Sequence, residues 1–178
     1  MSRRSAVWLA EAAPQRRCGL KGPRAAEALK LLGLNVPARP NSWAPLRSGD
    51  RDNSPNVIGR LGATEYFLEE SGLAPAIAAV EALSAEYAYP VLREDFGLVL
   101  GGERASDVLA QVCNVNFAAL TGAKPIVMTL MIGVGVLVLP QVSGEDGAVY
   151  RIWCDPSFGT YLWTELGEVV QKIPTGRA

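Results

Sequence analysis

The 178-residue sequence contains no histidine. That removes the side chain that most often acts as a general base near neutral pH, activates a serine or cysteine nucleophile, or ligates a metal. Catalysis would have to rest on Asp, Glu, Lys or Tyr, so an autonomous enzyme is not the first expectation. Cysteine is scarce: Cys18, Cys113 and Cys154 are the only three, and none stands at metal-ligand spacing from another. Each sits among apolar neighbours, which predicts buried thiols in a reducing cytoplasm. Aromatic residues make up only 7% of the chain, and the arginines are not interleaved with them; this argues against a nucleic-acid partner. Long hydrophobic runs are also missing. The opening MSRRSAVWLAEAAPQRR imitates a secretory leader, but its apolar run from Ala6 to Ala10 is short and Glu11 interrupts it. IVMTLMIGVGVLVLP at 126–140 falls short of the roughly 20 residues of a membrane helix. Gly133 and Gly135 within it suit a bend between two buried strands. No membrane association is expected.

What remains is the composition of a folded domain, 49% hydrophobic and 20% charged, enough to bury a core. The net charge of −1 hides an asymmetry. Residues 1–60 carry eleven Lys/Arg against four Asp/Glu, a net +7, whereas residues 61–178 carry six against fourteen, a net −8. The basic front reads as a solvated arm or one facing an acidic partner surface.

The stretch GLKGPRAAEAL at 19–29 poses the main question of chemistry. Two glycines bracket Leu20 and Lys21, and Pro23 opens a helical pattern in which Ala25, Ala28, Leu29 and Leu32 share one face. A phosphate loop places its lysine after the glycines, whereas Lys21 precedes Gly22, and Pro23 lacks the N–H an anion would want. The pattern recurs: GPRAAEAL at 22–29 and GERASDVL at 102–109 share Gly, Arg, Ala and Leu at a constant offset of 80. Glu103 in the second copy would repel a phosphate. The stretch is therefore read as a strand-to-helix joint used twice.

Other elements follow from periodicity. Residues 5–10 and 16–21 read as strands, 57–61 and 65–68 as a hairpin, and 73–87 as a helix with Leu73, Ile77, Val80 and Leu83 on one side. Strands are also expected at 89–92, 97–100 and 148–153, with an apolar hairpin at 126–139. Asp155 is placed to cap a helix from Pro156 to Ile173. Phe158, Leu162, Leu166, Val169, Val170 and Ile173 form its apolar face; Tyr161 and Trp163 widen it, predicting burial on more than one side. Residues 35–56, with four prolines, read as a long loop with little core. Trp43 within it either pins the loop or anchors a partner. The pairs Glu69–Glu70 and Glu94–Asp95 read as solvated charge. Glu65 opens a strand and reads as a hairpin surface acid. Ser157 has neither a base nor a nucleophile-elbow setting.

Three stretches, CGLKGPRAAEALKLLGLNVP, VIGRLGATEYFL and YRIWCDPSFGTYLWTELGEV, together resemble the folate-binding domain of the aminomethyltransferase (glycine cleavage T-protein) superfamily. Within it the sequence is similar to the gamma subunits of heterotetrameric sarcosine oxidases and the small subunits of N-methylglutamate dehydrogenases. The resemblance covers most of residues 16–173 and is loosest from 86 to 125. It implies an α+β fold: two ferredoxin-like β-α-β-β-α repeats, about 16–86 and 96–173, forming one folate-binding-domain-like unit across residues 1–178. It further implies a non-catalytic structural subunit of an N-methyl amino acid oxidase or dehydrogenase. FAD, FMN, NAD and tetrahydrofolate would belong to the flavoprotein and folate-domain partners and none to this chain. No segment matches the catalytic aspartate of the full-length transferases. The interface candidates are Arg16, Arg17, Trp43, Arg47, Tyr161 and Trp163. A stand-alone folate-dependent carrier, with a pocket near Glu65, and a ligand-sensing module are the rival readings.

Overall fold

A computed structural model of the chain describes residues 6–120, 124–143 and 147–174. Arg3 and Arg4 of the basic opening segment lie outside the described residues. The chain forms two compact units: the first holds residues 14–94 and 124–126, the second the described residues among 1–13, 95–123 and 127–178. Strand β1 (Trp8–Glu11) belongs to the second unit. The first unit then runs β2 (Arg16–Lys21), α1 (Ala25–Leu31), β3 (Ser42–Pro45), β4 (Val57–Arg60), β5 (Glu65–Glu70), α2 (Pro75–Glu81) and β6 (Tyr89–Leu92). The second continues with β7 (Phe96–Gly102), α3 (Ala105–Val112), β8 (Val127–Met131), β9 (Val134–Ser143), β10 (Gly147–Cys154) and α4 (Gly159–Lys172).

Each unit carries one five-stranded antiparallel sheet, ordered β3-β4-β5-β2-β6 in the first and β1-β7-β10-β9-β8 in the second. Substituting β7 for β2, β8–β10 for β3–β5 and β1 for β6 converts one order into the other. The register agrees as well: Leu20 faces Tyr66 across β2 and β5, and Leu100 faces Tyr150 across β7 and β10. Both leucines lie 80 apart, like the glycines and arginines that follow them. All four side chains are buried.

Each unit has its own apolar core on the helix side of its sheet. In the first, Leu20, Leu29, Ile58, Leu68, Ile77 and Val80 pack together. In the second, Leu98, Leu100, Leu109, Val138, Ile152, Leu162 and Leu166 do. Burial of each such side chain contributes about 1.5–3 kcal/mol.

The fold is mixed α and β with antiparallel sheets, as expected, but three strands rather than two separate the helices of each unit. In the first unit the extra one is β3, inside the stretch 35–56 read as loop. Pro45 and the surrounding polar residues hide it; Pro weakens a strand assignment but is tolerated on an edge strand, which β3 is. The helix expected over 73–87 is confined to Pro75–Glu81. Gly72 and Ala74 adopt positive φ, 70° and 49°, so the chain turns just before the helix and Leu73 is left 95% exposed. On α4, Leu162, Leu166 and Ile173 are buried as expected, whereas Phe158, Tyr161 and Trp163 are exposed. Tyr161 and Trp163 flank opposite sides of the buried stripe, at the 100° per residue of a helix, too far round to reach the core.

Candidate functional site

The repeated joint comes first because both its copies use the same atoms. After β2 the chain turns through Gly22 at φ 124°, and after β7 through Gly102 at φ 114°. Both values are strained for any residue with a Cβ. A Cβ on Gly22 would also sit 2.2 Å from the Tyr87 carbonyl oxygen, and one on Gly102 would sit 2.6 Å from the Ala6 carbonyl oxygen. Those carbonyls belong to the segments that lead into the edge strands β6 and β1. Each accepts a hydrogen bond from the joint itself: Arg24 N–H donates to Tyr87 at 3.1 Å, and Arg104 N–H donates to Ala6 at 3.0 Å. The arginine side chains bind back onto the helices they precede. Arg24 Nε reaches Glu27 Oε2 at 2.9 Å, and Arg104 Nε reaches Asp107 Oδ2 at 2.8 Å. Gly, Arg, Ala, Leu and the acid thus each have a mechanical role. The glycine admits an edge strand, the arginine holds its entry, and Ala25/Ala105 and Leu29/Leu109 fill the core. No phosphate chemistry is needed to explain the motif.

The charge asymmetry is resolved inside the first unit. Antiparallel pairing sets β2, RRCGLK, against β5, EYFLEE, with Arg16 opposite Glu70, Arg17 opposite Glu69 and Lys21 opposite Glu65. Arg17 pairs with Glu69, and Lys21 Nζ lies 3.1 Å from Glu65. Arg16, on the same helix-side face as Glu70, reaches Glu81 of α2 instead. There Glu70 is 2% exposed and accepts hydrogen bonds from three groups. Arg47 Nη1 donates to Oε1 at 2.8 Å, while Ala76 N–H and Ile77 N–H donate to Oε2 at 2.8 and 3.1 Å. It caps α2 from outside the helix, since Ala74 at the N-cap has no side chain that can. The reading of Glu69–Glu70 as solvated charge is overturned: both are buried, and their cations arrive from β2 and from the loop after β3. The first unit carries eleven Lys/Arg and nine Asp/Glu, a net +2 in place of the +7 of the first 60 residues.

Of the interface candidates, Arg16, Arg17 and Arg47 are therefore engaged with carboxylates of their own unit. Trp43 is only 4% exposed. It sits in β3 opposite Gly59, its N–H donates to Lys124 C=O at 2.9 Å, and the Lys124 ammonium stands 5.5 Å from its ring centroid. Its indole Nε1 has no hydrogen-bond partner among the described residues. Arg60 ties the neighbouring loop down, donating to Ala38 and Ala63 carbonyls at 2.7 and 2.9 Å. Tyr161 and Trp163 lie in the second unit, and Tyr161 Oη contacts Ile132 C=O at 3.4 Å. The residues missed by sequence reasoning were Glu70 and Arg60. The signal for Glu70 was its position five residues before a helix start that offers no capping side chain.

Burial raises the Cys18 thiol to about 12, with Glu81 adding to the effect, and the Cys154 thiol to about 11, with Asp155 adding. Such thiols are not nucleophiles near neutral pH. Burial also pushes the Tyr66 and Tyr150 hydroxyls up. Asp155 caps the turn leading into α4 as expected. Its Oδ1 accepts from Ser157 Oγ at 2.6 Å and Ser157 N–H at 2.9 Å, and these hydrogen bonds hold its carboxyl below the usual range. Among the described residues no three His, Cys, Asp or Glu side chains group as metal ligands, and no helix is long and apolar enough to cross a membrane. A pterin would call for a carboxylate aimed into a sheltered apolar pocket. Glu65 is more than a third exposed and faces Lys21 on the hairpin rim, so the residue considered for folate does not fit that role.

The architecture is that of a mixed fold in which two antiparallel sheets, each with two helices, share strand order and register. No protein-family model and no curated protein matches the sequence. Solved structures do. A chain of the heterotetrameric sarcosine oxidase from Corynebacterium sp. U-96, solved with pyrrole 2-carboxylate, superposes with a TM-score of 0.76 at 22% identity. The match covers 97% of this chain and 87% of that one, so the two are of comparable length. The glycine cleavage system aminomethyltransferase T from Bartonella henselae superposes with a TM-score of 0.71 at 16% identity, over 92% of this chain but only 46% of that one. At these identities the likeness establishes the fold alone.

Proposed function

We propose that this chain is a non-catalytic structural subunit of a hetero-oligomeric oxidoreductase of the sarcosine oxidase or N-methylglutamate dehydrogenase type. The carrying observation is the near end-to-end match to one chain of a heterotetrameric sarcosine oxidase. In this reading the complex demethylates an N-methyl amino acid oxidatively in the cytoplasm. FAD, FMN, NAD and tetrahydrofolate are held by the flavoprotein and folate-domain partners. The two units of this chain are copies of one ferredoxin-like ancestor, each extended by a strand.

The chemistry of the side chains supports a scaffold. The carboxylates best placed for acid–base work, Glu69 and Glu70, are tied to arginines. The two buried thiols are held protonated far above neutral pH. The test is purification of the tagged full chain from its own source cells. Co-elution with a flavin chromophore and oxidation of sarcosine or N-methylglutamate by the purified material is the expected result. A monodisperse, colourless chain lacking such partners would sink the reading. Calorimetry of the isolated chain with tetrahydrofolate separates it from a stand-alone folate carrier, which requires a heat of binding.

A further inference from the structure

Three residues, Lys124–Ile126, belong to the first unit although the chain on either side of them belongs to the second. They lie along the outer edge of β3. Trp43 N–H donates to Lys124 C=O at 2.9 Å, and Ile126 N–H donates to Asn41 C=O at 3.1 Å. Pro125, opposite Ser42 between them, has no N–H to add. Ile126 is buried and lies over Gly59: a Cβ there would come within 2.8 Å of Ile126 Cδ1. The Lys124 ammonium stands over the Trp43 ring and pairs with Asp52. The segment thus closes an edge whose backbone groups would otherwise face solvent.

The closed arrangement carries its costs at the same place. Asn41 and Lys124 adopt positive φ, 55° and 43°, a region that Asn tolerates and that strains a residue such as Lys. The Trp43 indole Nε1 is buried with no hydrogen-bond partner among the described residues, and such a donor regains water only when its cover lifts. The Lys124–Asp52 pair is solvent-exposed, so it adds little. Against these costs stand the two backbone hydrogen bonds and one buried isoleucine. The backbone of β3 next to β4 does not share them. Antiparallel alternation turns the Ala44 N–H inward to β4, and beyond it Leu46 N–H donates to Asn56 C=O at 3.0 Å.

We propose that Lys124–Ile126 is a strap that opens over Trp43 as one piece while β3 stays paired with β4, uncovering the indole and the outer edge of β3. Trp43 pins the strap in the closed state and is accessible in the open one. This does not depend on the subunit reading above.

The test is amide hydrogen exchange on the full chain, each rate taken relative to the intrinsic rate of that residue. Trp43 and Ile126 are expected to share one degree of protection, at least about tenfold below that of Ala44 and Leu46. Ile126→Ala is expected to lower the protection of Trp43 several-fold further and to leave Ala44 and Leu46 as they were. Trp43 and Ile126 protected as strongly as Ala44 and Leu46 overturns the opening. Unequal protection of Trp43 and Ile126 overturns the single piece. An Ile126→Ala variant that lowers Trp43, Ala44 and Leu46 alike makes the segment an ordinary part of the sheet and overturns the strap.

Discussion

At the corner where β5 hands over to α2, the first unit is sealed with buried polar groups, whereas at the matching corner after β10 the second unit's cap is exposed. In the first unit eleven residues connect β3 to β4. From that loop Arg47 reaches Glu70, and Asn56 Oδ1 accepts from both Ser71 N–H and Ser71 Oγ at 2.9 Å. In the second unit the connection from β8 to β9 is Ile132–Gly133, both at positive φ, as a tight hairpin turn requires. Cys154 stands where Glu70 stands, and the capping carboxylate comes one residue later, from the exposed Asp155. Phe158 and Tyr161 remain in solvent beside it. The same topology thus tolerates either a self-sufficient polar closure or an open aromatic corner. What the units hold in common is the joint at the other end of the first strand, where an edge strand must pass.

The comparison breaks most severely at that joint. Gly22→Ala places a methyl against the Tyr87 carbonyl at a disallowed φ. Backbone strain of about 1–3 kcal/mol and a clash of about 1–3 kcal/mol together predict a loss of several kcal/mol in urea unfolding. Gly102→Ala should cost nearly as much, since its nearest contact is 2.6 Å rather than 2.2 Å. Tolerance at one glycine and not the other would dissolve the equivalence of the two units.

Next comes the polar corner. Glu70→Ala leaves two buried helix N–H groups and Arg47 unsatisfied, which predicts a loss of about 2–3 kcal/mol. Asp155→Ala should cost distinctly less, because its partners can turn to water. Equal losses would mean the corners are energetically alike despite their geometry.

A smaller effect is pH-dependent. The Asp155 carboxyl is depressed by its hydrogen bonds to Ser157. Its stabilisation is therefore complete above the unfolded carboxylate value and is lost as pH falls through the folded one. The protection of the Ser157 amide, measured as its exchange rate relative to the intrinsic rate at each pH, should fall on acidification. The thiols give the opposite sign. Cys18 is raised from 9.0 to about 12, so the stability linked to its protonated form holds below about 9 and declines as pH rises toward about 12. Alkylation of the native chain at pH 8 should modify the half-buried Cys113 before Cys18 or Cys154. Early loss of the Cys18 thiol would show that the first core opens more easily than its packing indicates.

Much of the fold was legible from local pattern. The strand-to-helix pattern of the joint and the Asp155 cap are set by residues within a few positions of one another, where steric and hydrogen-bonding preferences act directly, whereas the close approach that requires the joint's glycines comes from the distant Tyr87 and Ala6 carbonyls. The hairpin turning at 61–64 and the buried stripe of α4 followed from periodicity alone. β3 was not legible, because the Pro and polar residues of its surroundings outweighed four residues of strand. The interface candidates were only half legible. Their charge and aromatic character were plain, but whether Arg16, Arg17 and Arg47 faced outward depended on what stood beside them.

The sequence by itself determined that the chain has no histidine, that a strand-to-helix joint occurs twice at an offset of 80, and where most helices begin. Only the tertiary structure decided which charges meet and which unit β1 completes. Arg16 finds Glu81 across 65 residues, Arg17 finds Glu69 across 52, and Arg47 finds Glu70 across 23. Such pairings are fixed by strand register for Arg17 and Glu69 and by the packing of a helix or loop against the sheet for the other two, and periodicity read along one segment carries no information about its neighbour in space.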